Sequence, residues 1–411
     1  MKKKLISLLV ALTMIAVLLG GCGGGGSNAD PEVTADPNRK VKLVVWESVD
    51  GPDEWIRQAG AAFNKIHPNI TVEFVNVELN DTSTRIALDG PGGVGPDLFV
   101  APHDKLGELV TAGHIYPTEN PDTVGAKVLA STRDALTYDG KMYGYPTSAE
   151  TYALYYNKAL ISSEDVPKTW ADLLNWVRDF NVANSGKRGY VVDIANIYYA
   201  IPFTTKNGNR LFGPAGTDTT NSFLSTPDAI AGMKEFQALR EILNFPASDM
   251  TTDQADGAFA AGTAAMHISG PWNVSNFTEA GIDFGITTLP ALAGDSTPAA
   301  SFSGTRGMFV SAYSDNQVEA SLFGEFLISK EMQELRYEIT GALPSIELTL
   351  SDPHTMGFID QLNYAFPMPS LQQMGAFWAS GNATMANIWD GADVETEMTT
   401  LNNIILGLAN P

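Results

Sequence analysis

One cysteine in 411 residues, at position 22, constrains this chain more than any other feature. A lone thiol near the N-terminus allows no internal disulfide and no thiolate metal site in the body of the fold. Apolar burial must therefore hold the structure together. From near Lys40 about 370 residues remain, more than one hydrophobic core usually spans, so two lobes are expected.

The apolar pattern indicates what those lobes contain. Lys42-Leu43-Val44-Val45-Trp46 predicts a buried strand, and Trp55, Ile56, Ala59, Ala62 and Phe63 give Asp53 to Ile66 a helical spacing. Ile70-Thr71-Val72-Glu73-Phe74 and Asp97-Leu98-Phe99-Val100 predict further strands, and Asp104 to Val110 a helix stopped near Gly113. Strand–helix–strand alternation argues for a three-layer α/β lobe. After a strand at Tyr152-Ala153-Leu154-Tyr155-Tyr156 the pattern restarts. Thr169 caps a helix from Trp170 to Phe180, Tyr190-Val191-Val192 is a strand, and Asp228 to Leu243 reads as one long helix. Ala264 to Ile268 is a strand, and Pro271 suits a first helical position. No Pro/Ser-rich linker separates the lobes, which points to interleaving.

The cysteine also closes an export signal. Met1-Lys2-Lys3-Lys4 is a basic start, and Leu5 to Leu19 is an apolar run of 15 residues, short of the roughly 20 that span a bilayer. Leu19-Gly20-Gly21-Cys22 resembles the bacterial lipoprotein signal, in which the cysteine receives a diacylglycerol and becomes the new N-terminus. The resemblance implies loss of residues 1–21 and anchoring outside the cytoplasm to the cell membrane, through the two chains that stable anchoring needs. Residues 22–39 carry almost no apolar side chains and are expected to be a flexible tether. Removing the three signal lysines leaves 22 Lys and Arg against 47 Asp and Glu, a net charge of −25. Such a surface repels nucleic acid and anionic lipid.

Gly90-Pro91-Gly92-Gly93-Val94-Gly95 matches G-x-G-x-x-G, but a strand follows it where a dinucleotide site needs a helix, so it reads as a turn. His67, His103, His114, His267 and His354 lie too far apart for metal-ligand spacing and read as surface or core residues. No metal or cofactor is expected. The aromatic residues remain open to two readings. Trp272 follows a strand and a Gly-Pro turn, Trp378 sits in a late helix, and Tyr152, Tyr155, Tyr156, Tyr198 and Tyr199 cluster in the second lobe. Such rings either fill a core or offer flat platforms to the apolar faces of sugars.

Gly95-Pro96-Asp97, His103 to Gly107, Asp139-Gly140-Lys141 and Tyr145-Pro146 together resemble the first lobe of the maltose/maltodextrin-binding proteins, the carbohydrate branch of extracellular solute-binding proteins. Tyr156-Asn157-Lys158, Pro167 to Trp170, Gly270-Pro271-Trp272 and Met374 to Trp378 resemble the remainder in the same order. The resemblance implies a two-lobe periplasmic-binding-protein-like fold of the class II type, α/β in both lobes and joined by hinge strands. The N-lobe is expected at 40–149 plus about 305–347, and the C-lobe at 150–304 plus about 348–411.

By the same resemblance, Asp50, Asp104 and Lys105 contact sugar hydroxyls from the first lobe, and Glu150 accepts hydroxyl hydrogen bonds at the hinge. Tyr198, Trp272 and Trp378 stack on the sugar, with Met368 beside them. Lys105 replaces an arginine, turning a two-point fork into a point charge. Gly51, Ala101, Asn196, Ile201 and Ala379 depart from the enteric pattern, which opens one side of the cleft and leaves room for longer or cyclic glucans. The implied function is capture of an α-glucan oligosaccharide by a monomer that hands it to the permease subunits of an ABC importer. One rival is the same fold binding a galactan or xylan oligomer. The other is a secreted glycosidase using Glu150 and Asp104 as its carboxyl pair.

Overall fold

The computed structural model describes residues 36–409. The export signal, Cys22 and the tether as far as residue 35 lie outside the described residues. Asp36 to Arg39, assigned to the tether by composition, form a turn, and Arg39 Nη1 donates to both carboxylate oxygens of Glu319, each at 3.1 Å.

Twelve strands are found among the described residues. β1 (Val41–Glu47), β2 (Ile70–Asn76) and β3 (Leu98–Pro102) run parallel, with β1 in the middle. β4 (Thr137–Tyr138) and β5 (Lys141–Met142) make a small hairpin, and β6 (Tyr145–Glu150) leads back toward the sheet. β7 (Ala153–Asn157), β8 (Arg188–Val191), β9 (Ala264–Ser269) and β10 (Phe284–Thr287) form a second sheet in the order β10-β7-β9-β8. β11 (Phe302–Val310) returns to the first sheet, antiparallel to both β3 and β6, and β12 (Phe366–Pro367) pairs with its start.

β1 shows why the first sheet is sandwiched. Leu43 and Val45 enter one core, while Val44 and Trp46 pack into another. Both faces of the strand are thus covered, as the near-continuous apolar run required. The helix Pro52–Ile66 covers one of them. It starts with Pro52, carries Asp53 and Glu54 in its first turn and Lys65 in its last, matching its dipole. Gly60 lets it press against β2, since a Cβ there would lie 2.8 Å from Val72.

The second sheet shares one core with the helices Trp170–Ala183, Pro227–Ala238 and Met374–Trp389. The Thr169 hydroxyl caps the first of these by accepting the Asp172 N–H at 3.1 Å. The long helix expected from Asp228 to Leu243 is instead two, Pro227–Ala238 and Arg240–Leu243. Leu239 bonds three residues back to Phe236, tightening the ladder, while Gln237 and Arg240 are held by carbonyls at the end of Met374–Trp389. Tertiary anchoring here overrides helix propensity.

The chain passes between sheets at Thr151 and Tyr152 and again between β10 and β11, and β12 pairs with the start of β11 beside these passages. These crossings put Glu150, Gly304 and Met368 side by side. A Cβ on Gly304 would lie 3.5 Å from the Glu150 Cβ and 3.3 Å from the Met368 methyl.

Candidate functional site

A cavity of about 770 Å³ opens between residues rooted in the two sheets. One wall is the Ser48–Pro52 turn that leaves β1, with Arg306 of β11 and Arg336 of the helix Lys330–Thr340. The other is the Pro271–Glu279 segment that leaves β9, and Glu150 lies at the end of β6. Asp50, Glu150 and Trp272, three of the residues expected at a ligand, therefore share one space.

Local backbone explains two of these placements. Asp50 has φ +62° and Gly51 φ +116°, a turn in the left-handed region that a non-glycine residue adopts only under strain. Gly270 lies beneath the Trp272 indole; a Cβ there would sit 2.0 Å from the ring. The indole folds back over the glycine and remains 42 % exposed, with surface left to contact a ligand.

Asp104, Trp378 and Tyr198 form a neighbouring cluster outside that lining. The Trp378 indole N–H donates to Asp104 Oδ2 at 2.7 Å, joining the helix Met374–Trp389 to the turn after β3. Tyr198 stands 6.5 Å from Trp378 and 4.7 Å from Tyr152, ring to ring. Burial raises its hydroxyl pKa, and Glu150 and Asp104 add to the effect, so Tyr198 stays a neutral donor. Asn196 fixes it by accepting the Tyr198 N–H at 3.1 Å. Lys105 is turned aside, 3.6 Å from Glu108. Ala101 and Ile201 are fully buried and present no side chain to a ligand.

Three groups escaped the sequence reading. His103 is buried at the crossing. Its Nδ1 accepts the Thr305 N–H at 3.1 Å, so its proton must sit on Nε2, which donates to the Met368 carbonyl at 2.9 Å. Burial lowers the pKa of this neutral tautomer, against the pull of Asp104 and Glu150. The other two are the cavity arginines. Arg306 donates to the wholly buried Glu47 and, at 2.7 Å, to the Ser48 hydroxyl. Burial pushes its pKa down, but Glu47 and Glu150 outweigh that and raise it. Arg336 lies 4.5 Å from the Trp55 ring centroid, and burial together with Arg306 brings its pKa down to about 10. The available signal was a charge at the end of one apolar strand (Glu47) and another within a second (Arg306).

Two α/β lobes meeting at a cavity lined by an exposed indole and paired charges define a cleft-type binding protein. The chain belongs to the bacterial extracellular solute-binding proteins, whose family model matches residues 58–353. It is similar to the galactooligosaccharide-binding protein of Bacillus subtilis (strain 168), with 28% identity over 400 residues, covering 94% of this chain and 93% of the relative. It is equally similar, at 28% over 390 residues and covering 91% and 90%, to a maltooligosaccharide ABC transporter solute-binding lipoprotein of Streptococcus pneumoniae. Among solved structures, a cyclo/maltodextrin-binding protein complexed with maltotetraose superimposes with a TM-score of 0.77 at 32% identity, over 90% of this chain and 98% of that one.

Proposed function

We propose that this protein captures a maltodextrin-type oligosaccharide in the cleft and delivers it, unaltered, to the permease subunits of an ABC importer. The observation that carries the reading is the exposed Trp272 face opposite Asp50 and Glu150 around one cavity. Sugar rings pair an apolar C–H face with hydroxyl edges, so they need a flat aromatic surface and carboxylates together. The volume lies within the ~300–1,000 Å³ of small-molecule sites. In this reading Asp104, Trp378, Tyr198 and Met368 extend the site along the crossing, with Lys105 at its rim. The lobes are 40–149 with about 305–347, and 150–304 with about 348–411. The protein acts as a monomer held to the membrane by a lipid on Cys22, and no hydrolysis takes place.

A second reading, a galactooligosaccharide as ligand, is favoured by the Bacillus relative. A thermal-shift panel of maltotriose, maltotetraose, cyclodextrin and galactotriose separates the two, since a saturating ligand stabilises by RT ln(1 + [L]/Kd). Calorimetry then gives the stoichiometry, expected to be one sugar per protein. Chromatography after long incubation should return every sugar intact; shortened products absent with Glu150→Gln would make it a glycosidase. Cys22→Ala should move the protein from the membrane to the soluble fraction with binding intact.

A further inference from the structure

Arg336 is 2 % exposed yet lines the cavity. Its Nε and Nη1 find no hydrogen-bond partner among the described residues. Trp55 lies against the guanidinium but offers it only a ring face, because its own N–H donates to the Met332 carbonyl at 2.9 Å. With a pKa near 10, the side chain is a cation at neutral pH. A buried cation without a partner is unfavourable, and a structure keeps one where something else supplies the acceptor.

The charges around it narrow what that acceptor is. Glu47 and Arg306 are already paired. Among the described residues Glu150 has one long contact, from the Ser148 hydroxyl at 3.4 Å, and Glu150 and Arg336 line the same cavity. One is an acceptor with free lone pairs, the other a donor with free N–H groups. Asp50 and Glu279 add two more carboxylates to the lining, while Arg306 is held by Glu47. An anionic sugar would therefore enter a field of its own sign. A neutral polyol meets no such penalty, because a hydroxyl both donates and accepts.

We propose that Arg336 is a specificity-determining residue of the cleft: with Glu150 it grips adjacent hydroxyls of one neutral sugar unit, Arg336 donating and Glu150 accepting. The inference rests on the oligosaccharide reading above and adds to it that uronate-bearing sugars are rejected. The ligand hydroxyls would meet N–H groups for which the described residues supply no acceptor.

The test is calorimetry of the full mature protein and of Arg336→Met, Arg336→Lys and Glu150→Gln with the tightest neutral sugar of the panel, and with trigalacturonate. Arg336→Met should lose about 10- to 100-fold in affinity, the range for a hydrogen bond to a charged group. Its ligand-free melting temperature should stay level or rise, because an unpaired buried charge has been removed. Arg336→Lys should keep part of the affinity, Glu150→Gln should lose a similar factor, and wild type should ignore trigalacturonate. Wild-type affinity in either Arg336→Met or Glu150→Gln overturns the inference and leaves the oligosaccharide reading standing. So does trigalacturonate binding more tightly than the neutral sugar. A sharp fall in the ligand-free melting temperature of Arg336→Met makes the residue structural and also overturns it. A wild type that binds no neutral sugar removes the reading and the inference together.

Discussion

Trp272→Ala tests the proposed role of the indole as a sugar platform, apart from the rest of the cleft. An aromatic side chain buries roughly 150–250 Å² when fully covered. Trp272 is 42 % exposed, so at the upper figure about 100 Å² of it remains to be covered. A sugar ring resting on one face covers about half of that, which at ~25 cal/mol/Å² is about 1.2 kcal/mol. Specific aromatic contact adds about 0.5–1.5 kcal/mol. The expected loss is thus about 1.7–2.7 kcal/mol, or roughly 20- to 100-fold in Kd. The covered part of the ring rests over Gly270, so the variant also loses some stability, and a melt must first show that it is folded at the assay temperature. Isothermal calorimetry at 25 °C against maltotriose and maltotetraose reads the change. A folded Trp272→Ala that binds within twofold of wild type would show that the indole is only a lid on Gly270.

Gly270→Ala should reproduce most of that binding loss without touching the tryptophan, because its Cβ would land 2.0 Å from the ring and displace it; calorimetry on the two variants should agree within a few fold. Glu47→Ala removes the carboxylate partner of the partly buried Arg306 and should destabilise in urea melts by up to about 3 kcal/mol, the low end for a broken buried pair. His103 predicts a pH dependence. Burial holds its pKa below 6.5 in the fold, so the unfolded chain takes up a proton that the native state refuses. Its contribution to stability is whole above about pH 6.5 and is lost as pH falls toward the folded value. Urea melts between pH 7.5 and pH 5 should show a shallower decline for His103→Gln than for wild type; parallel slopes would refute the assignment.

What the sequence made legible follows from distance along the chain. The strand Val41–Glu47 and the helix after it are encoded by spacings within one element, and the same holds for Thr169 and its cap. The break at Leu239 is not, because the groups that hold it belong to carbonyls about 150 residues away. The site divides in the same way. Trp272 belongs to a local motif that carries the family resemblance, Gly270-Pro271-Trp272, and that resemblance in turn places Asp50 and Glu150, which sit at a turn and a strand end. Arg306 meets Glu47 across 259 positions, and His103 meets Thr305 across 202. Each residue reads on its own as a solvated charge or an ordinary core histidine. Only the fold brings such partners together, so no spacing rule reaches them.

The pairing of β6 with β11 runs from Glu150 opposite Gly304 to Tyr145 opposite Met308. Sliding one antiparallel strand along the other would break every rung of that ladder at once, whereas bending the ribbon strains each rung a little. Both strands leave the first sheet at the Glu150–Gly304 end, so a hinge placed there would turn rather than slide. Glu150 sits at that end and would move least, like the pin of a pair of tongs. Trp272, carried on the segment beyond β9, would travel with the second sheet. A ligand would then find one contact in register throughout and another brought to it as the tongs shut. The angle would set the distance between them, and so the thickness of what the protein could hold.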